Sequence, residues 1–179
     1  MLLPLTIGDK GSYLNAAFGA PVAHEDDARR AVSAALELQT LSSELDFIRP
    51  LQIGITRGGM RAGAYGGMTR RTYDVMGDDV NLAARLMQAA TPGQVLASGR
   101  VRNAASDAFA WQALSHLQVK GKAEPIPVTW ARVNVLSFMP HRAASGRRHC
   151  KSLVGKARGW LRSVKAAKPT GYALWERTS

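Results

Sequence analysis

Apolar residues at Ala28, Ala31, Val32, Ala35, Leu38, Leu41 and Leu45 recur at intervals of three and four. That period gives a helix a single apolar stripe. Asp26 and Asp27 stand at its start, where carboxylates suit the positive end of a helix dipole, and Pro50 closes the connection after it. A second helix is expected to open at Gly77, carrying Val80, Leu82, Ala83, Leu86 and Met87, and to stop at Thr91-Pro92-Gly93. A third, short one is expected over residues 100–105. Strands fill the rest. Residues 2–7 and 13–18 flank Gly8-Asp9-Lys10-Gly11 as a hairpin. Residues 51–55 alternate, and 60–65 and 72–76 lie either side of Gly66-Gly67. Further strands are expected at 94–97, 111–114, 116–119 and 126–133. Hairpins interspersed with helices predict an α+β fold with the helices packed on one face.

Beyond about residue 133 the pattern decays. The chain of 179 residues has a net charge of +11, and after Asn134 ten Lys and Arg residues stand against Glu176 alone. Most of the charge therefore belongs to this last stretch, and residues before it are close to balanced. The expected organisation is a domain over 1–133 and a basic, disordered tail over 134–179. So few patterned apolar residues bury too little to offset a backbone ordering cost of about 1–2 kcal/mol per residue. Trp160 and Trp175 among the basic residues have the composition for stacking and phosphate contact. No recognition motif accompanies them, so no specific nucleic-acid partner is expected. The single Cys150 excludes an internal disulfide and fits a reducing, cytoplasmic setting. No stretch approaches the roughly 18 apolar residues of a membrane span.

The candidate chemistry lies in Arg71-Thr72-Tyr73-Asp74-Val75-Met76-Gly77-Asp78-Asp79-Val80-Asn81-Leu82-Ala83-Ala84-Arg85. A strand delivers Asp74 to a glycine turn, and the helix beyond places Asn81 and Arg85 four apart, on one face. A carboxylate, an amide and a guanidinium so grouped can read a base, a ribose and a phosphate; Arg suits phosphate because its planar fork meets two oxygens at once. Exposed Asn and Arg at this spacing on a helix are common and usually only solvated. The acids around His24 read as a helix start rather than a metal cluster. Gly63-x-x-Gly66-Gly67 reads as a turn, and no phosphate-loop motif occurs anywhere in the chain.

The run Tyr73-Asp74-x-x-Gly77-Asp78-x-Val80-Asn81-x-Ala83-x-Arg85 resembles the signature of class III adenylate and guanylate cyclases. Thr6-Ile7-Gly8-Asp9 with Phe18-Gly19-Ala20-Pro21 resembles that family's hairpin, and Glu25-Asp26-Asp27-Ala28 with Ala31-Val32 resembles its next helix. Val119-Lys120-Gly121-Lys122 with Glu124-Pro125 resembles its closing hairpin. The resemblance spans about residues 1–133. It implies a ferredoxin-like domain with a mixed, antiparallel-rich sheet, and conversion of ATP to 3′,5′-cyclic AMP and pyrophosphate by a two-metal mechanism. Asp9 would hold Mg²⁺ or Mn²⁺, for which a carboxylate oxygen is a suitably hard ligand. Asp74 would receive adenine's amine, where guanylate cyclases usually carry Cys or another small residue. Asn81 would orient the ribose, Arg85 would meet charge on the α-phosphate, and Lys120 would hold the terminal phosphates. The family's sites form between two cyclase domains, so a homodimer or a heterodimer with another cyclase domain is implied.

Two departures accompany the match. The family's other metal aspartate, in a Phe-x-Asp-like motif on an earlier strand, has no counterpart before Leu2, and its adenine-reading lysine is replaced by Leu5. The expectation is a domain lacking its first segment and turning over weakly alone. Two alternatives stand beside it: a non-catalytic cyclase-like module that binds nucleotide or regulates a partner, and a basic nucleic-acid-binding protein.

Overall fold

The computed structural model describes residues 2–8, 11–45, 49–69, 71–105, 109–114, 116–118 and 125–132. In chain order these form β1 (Leu2–Gly8), β2 (Gly11–Ala16), α1 (Asp27–Ser43), β3 (Ile53–Ile55), β4 (Arg61–Gly66), β5 (Arg71–Met76), α2 (Asp78–Ala89), β6 (Val95–Ser98), α3 (Gly99–Ala105), β7 (Ala110–Ala113) and β8 (Val128–Arg132). A four-stranded mixed sheet runs β3-β6-β8-β7, and β1-β2 and β4-β5 form two antiparallel hairpins. Within the sheet β3 is parallel to β6, while β8 is antiparallel to both β6 and β7. The α+β class and the mixed sheet agree with the expectation from sequence. The boundary expected at residue 133 and the tail expected over 134–179 lie outside the described residues.

The helices do not share one face of the sheet. α1 and α3 cover one side, where Val32 and Ala35 meet Val101, Ala105 and the sheet residues Val95, Ala97 and Ala131. α2 covers the other, where Leu82 and Leu86 meet Leu96 and Val128. The cause is written into β6. All four of its residues are buried, and because side chains alternate along a strand, Val95 and Ala97 feed one core while Leu96 feeds the other. A strand apolar on both faces needs cover on both.

α2 sits unusually close to β3. A Cβ built on Gly54 would come within 2.2 Å of the Ala83 carbonyl oxygen and 2.5 Å of the Met87 nitrogen. Glycine at this position lets the helix backbone press onto the strand, and so fixes the depth at which α2 lies.

Two strands differ from expectation near the end of the domain. The strand expected at 116–119 is reduced, among the described residues, to a bridge in which Leu117 and Ile126 exchange backbone hydrogen bonds of 3.0 Å. β8 then begins only at Val128. Residues 119–124, which would continue this pairing, lie outside the described residues. At the other end of the domain, Asp27 anchors the start of α1 by pairing with Arg30 at 2.7 Å and accepting the His24 backbone N–H at 2.7 Å. This local tie accounts for Asp27, while Glu25 and Asp26 beside it are exposed.

Candidate functional site

In β5 Val75 is buried, while Asp74 before it is half-buried and Met76 after it is exposed. Val75 packs with Ala17, Ala20 and Val80, which sets Asp74 on the opposite face of the strand. Asp74 pairs across the hairpin with Gly63. Its Oδ1 accepts the backbone N–H of Val75 at 2.8 Å, so the carboxylate is held by its own strand rather than swinging freely.

The turn after β5 depends on Gly77, whose φ is +154°. That region favours glycine. A Cβ there would also lie 3.1 Å from the Gly59 carbonyl oxygen, so the turn is packed tightly against the connection between β3 and β4. The Gly77 carbonyl accepts the N–H groups of Val80 at 3.1 Å and Asn81 at 3.3 Å, opening α2. Asn81 and Arg85 each precede a buried leucine, Leu82 and Leu86. They therefore run along the edge of the buried stripe, Asn81 exposed and Arg85 half-buried. Beside this turn lies an open cleft of about 530 Å³, lined by Gly59, Met60, Arg61, Tyr65, Met76 and Gly77.

Three of the residues singled out from sequence, Asp74, Asn81 and Arg85, thus sit on one strand–turn–helix unit. Asp9 and Lys120 lie outside the described residues. Among the described residues no group of three or more His, Cys, Asp and Glu side chains comes together to hold a metal ion. Sequence reasoning missed Met60, Arg61 and Tyr65 as cleft residues. The only signal they offer is position on a strand beside a glycine turn, and their placement follows from the pairing of β4 with β5. What the unit offers chemically is an acceptor at Asp74, an amide at Asn81 and a permanent cation at Arg85.

Residues 5–131 match the family described as Adenylate and Guanylate cyclase catalytic domain. The chain is 31% identical over 116 residues to an adenylate cyclase of Mycobacterium tuberculosis, a match covering 63% of this chain and 26% of that protein. The chain thus spans about a quarter of the length of that relative. Among solved structures it resembles the adenylyl cyclase CyaB of P. aeruginosa, with TM-score 0.62, 27% identity and 67% of each chain covered. It also resembles the guanylate cyclase domain of RhGC from Catenaria anguillulae in complex with GTP, with TM-score 0.66, 28% identity, and 74% of this chain and 72% of that one covered. A third likeness is the catalytic core of a rhodopsin-guanylyl cyclase with converted specificity in complex with ATPαS, with TM-score 0.66, 29% identity, and 74% and 71% covered.

Proposed function

We propose that this chain, which belongs to the adenylate and guanylate cyclase catalytic domain family, uses β5, its turn and α2 as the nucleotide-reading part of an adenylate cyclase site. The reaction is closure of ATP to 3′,5′-cyclic AMP. The 3′-hydroxyl oxygen bonds to the α-phosphorus, the bond from that phosphorus to the oxygen bridging to the β-phosphate breaks, pyrophosphate leaves, and the hydroxyl proton passes to solvent or a base.

The single observation that carries the choice of ATP is Asp74. Its carboxylate is half-buried at the strand end and held by the Val75 N–H. A carboxylate can accept from adenine's exocyclic amine, but it meets the carbonyl oxygen of guanine, another acceptor. Asn81 has the amide to hold a ribose oxygen. Arg85 presents a planar cation to the α-phosphate, where charge grows as the new bond forms. Lys120 is assigned to the terminal phosphates and Asp9 to metal. Class III cyclases are metal-dependent, and the hard carboxylate of Asp9 favours Mg²⁺ or Mn²⁺. The expected partners are ATP and a second cyclase domain, identical or not. A similar structure from Blastocladiella emersonii, 25% identical with TM-score 0.60, is described as a non-canonical dimeric guanylyl cyclase domain. No helix among the described residues is long and apolar enough to cross a membrane, and a cytoplasmic setting is proposed.

The test is substitution at the base-reading position. Asp74→Cys removes the acceptor for the adenine amine. It is expected to weaken binding of an ATP analogue by on the order of 1–3 kcal/mol, as for a hydrogen bond to a charged group, and to narrow the gap between ATP and GTP analogues. Titration calorimetry on both proteins reads it directly. An unchanged ratio of the two affinities in Asp74→Cys would remove Asp74 from base selection.

A further inference from the structure

Asp79 lies in the first turn of α2, two residues before Asn81, and played no part in the reading of the site. Its side chain is 17% exposed. It rests on Gly58 so closely that a Cβ built on that glycine would lie 1.7 Å from Oδ2 and 2.3 Å from Cγ. The same residue is engaged through its backbone: the Thr56 hydroxyl donates to the Asp79 carbonyl oxygen at 2.7 Å. Thr56 and Gly58 both belong to the connection from β3 to β4. The next residue of that connection, Gly59, is the one whose carbonyl oxygen faces Gly77. Arg100 approaches the Asp79 carboxylate at 3.9 Å, but its side chain is 74% exposed, so this ion pair adds little.

These contacts surround the turn that carries the proposed chemistry. The connection touches Gly77 on one side and Asp79 on the other, and both Gly59 and Gly77 line the cleft. Asn81 is bonded through its backbone N–H to the Gly77 carbonyl, so the start of the helix moves as a unit with the turn. A shift of Asp79 relative to Gly58 is therefore a shift of the Asn81 amide. The Asp79 contact needs volume at that spot more than charge. Asn has the same shape as Asp, whereas Ala leaves the seat on Gly58 empty, and a methyl on residue 58 pushes the side chain off it.

We propose that Asp79, seated on Gly58 and tied to Thr56, is a positioning residue that sets the placement of Asn81 for nucleotide binding. This rests on the reading of Asn81 as the ribose-holding group. The 179-residue chain is titrated with ATPαS and with GTPαS by calorimetry, alongside its thermal midpoint. Asp79→Ala and Gly58→Ala are each expected to weaken ATPαS binding roughly five- to tenfold, while Asp79→Asn stays within about twofold, because coupled neighbours act through shared geometry. In an Asn81→Ala background, Asp79→Ala should cause no further loss, since the group it positions is gone. A merely structural role would lower the thermal midpoint and weaken binding again in that background; the same loss seen twice, or an unchanged affinity in Asp79→Ala, overturns the proposal. Should Asp79→Ala fail to fold, Gly58→Ala with and without Asn81→Ala decides the same question. Failure of the unsubstituted chain to bind either ATPαS or GTPαS would instead sink the site reading itself, and the positioning role with it, whereas equal affinity for the two would count against Asp74 alone.

Discussion

Arg85→Ala is expected to lower cyclic AMP formation by about 10²–10³-fold, in line with loss of one preorganised donor aimed at developing charge. The assay pairs the full chain with a second cyclase domain that carries a complete set of metal aspartates, because the proposed site forms between two cyclase domains. The loss should fall mainly on kcat. The α-phosphate is already anionic in bound ATP, so some of the interaction exists before reaction, but the charge that Arg85 meets grows as the new bond forms. Its half-buried place at the edge of the α2 stripe excludes part of the water that would otherwise weaken the effect. Arg85→Lys keeps the charge but loses the planar fork, and should recover only a part of the rate. A kcat unchanged in Arg85→Ala, with only KM raised, would reassign Arg85 to ground-state binding.

Gly54→Val is expected to cost more than the roughly 1–3 kcal/mol typical of overpacking, enough to unfold a marginal domain. The reason is the identity of the atoms it would meet. A Cβ at residue 54 would run into the backbone of α2, at the Ala83 oxygen and the Met87 nitrogen, and helix backbone cannot swing aside as a side-chain tip can. Relief requires the whole helix to lift off β3, dragging Leu82 and Leu86 from their core and displacing Asn81 and Arg85. Gly63→Ala is the matched control. Its Cβ would meet nothing within 4 Å, and its urea midpoint should stay close to that of the unsubstituted chain. Equal midpoints for Gly54→Val and the unsubstituted chain would show that α2 is not held at this depth by Gly54.

Much of this architecture was legible along the chain. The periodic run from Ala28 to Leu41 and the run from Val80 to Met87 marked α1 and α2, and the glycine turns marked both hairpins. The side of the sheet each helix would choose was not legible. Helical periodicity says which face of a helix is buried, but not against what. The clue lay in β6, where four consecutive residues are buried, yet a short apolar run looks the same in a strand covered on one face or on two. Of the strand expected at 116–119, the described residues 116–118 carry the Leu117–Ile126 bridge, and residue 119 lies outside them. The placement of Asp74, Asn81 and Arg85 on one strand and the helix that follows was legible because they lie close together in the chain. The seat of Asp79 on Gly58 was not, because it joins residues 21 apart through packing that no spacing announces. Met60 and Tyr65 became cleft residues only once β4 was paired in register with β5.

The central claim is that this family member reads adenine through Asp74. The measurement that meets it most directly is the affinity of the unsubstituted chain for ATPαS and for GTPαS, taken by calorimetry under one set of metal and salt conditions. Tighter binding of ATPαS is expected, by on the order of tenfold, toward the lower end of what a hydrogen bond to a charged group supplies, because Leu5 replaces the lysine that the family resemblance implies beside the base. Equal affinities, or a preference for GTPαS, would contradict it.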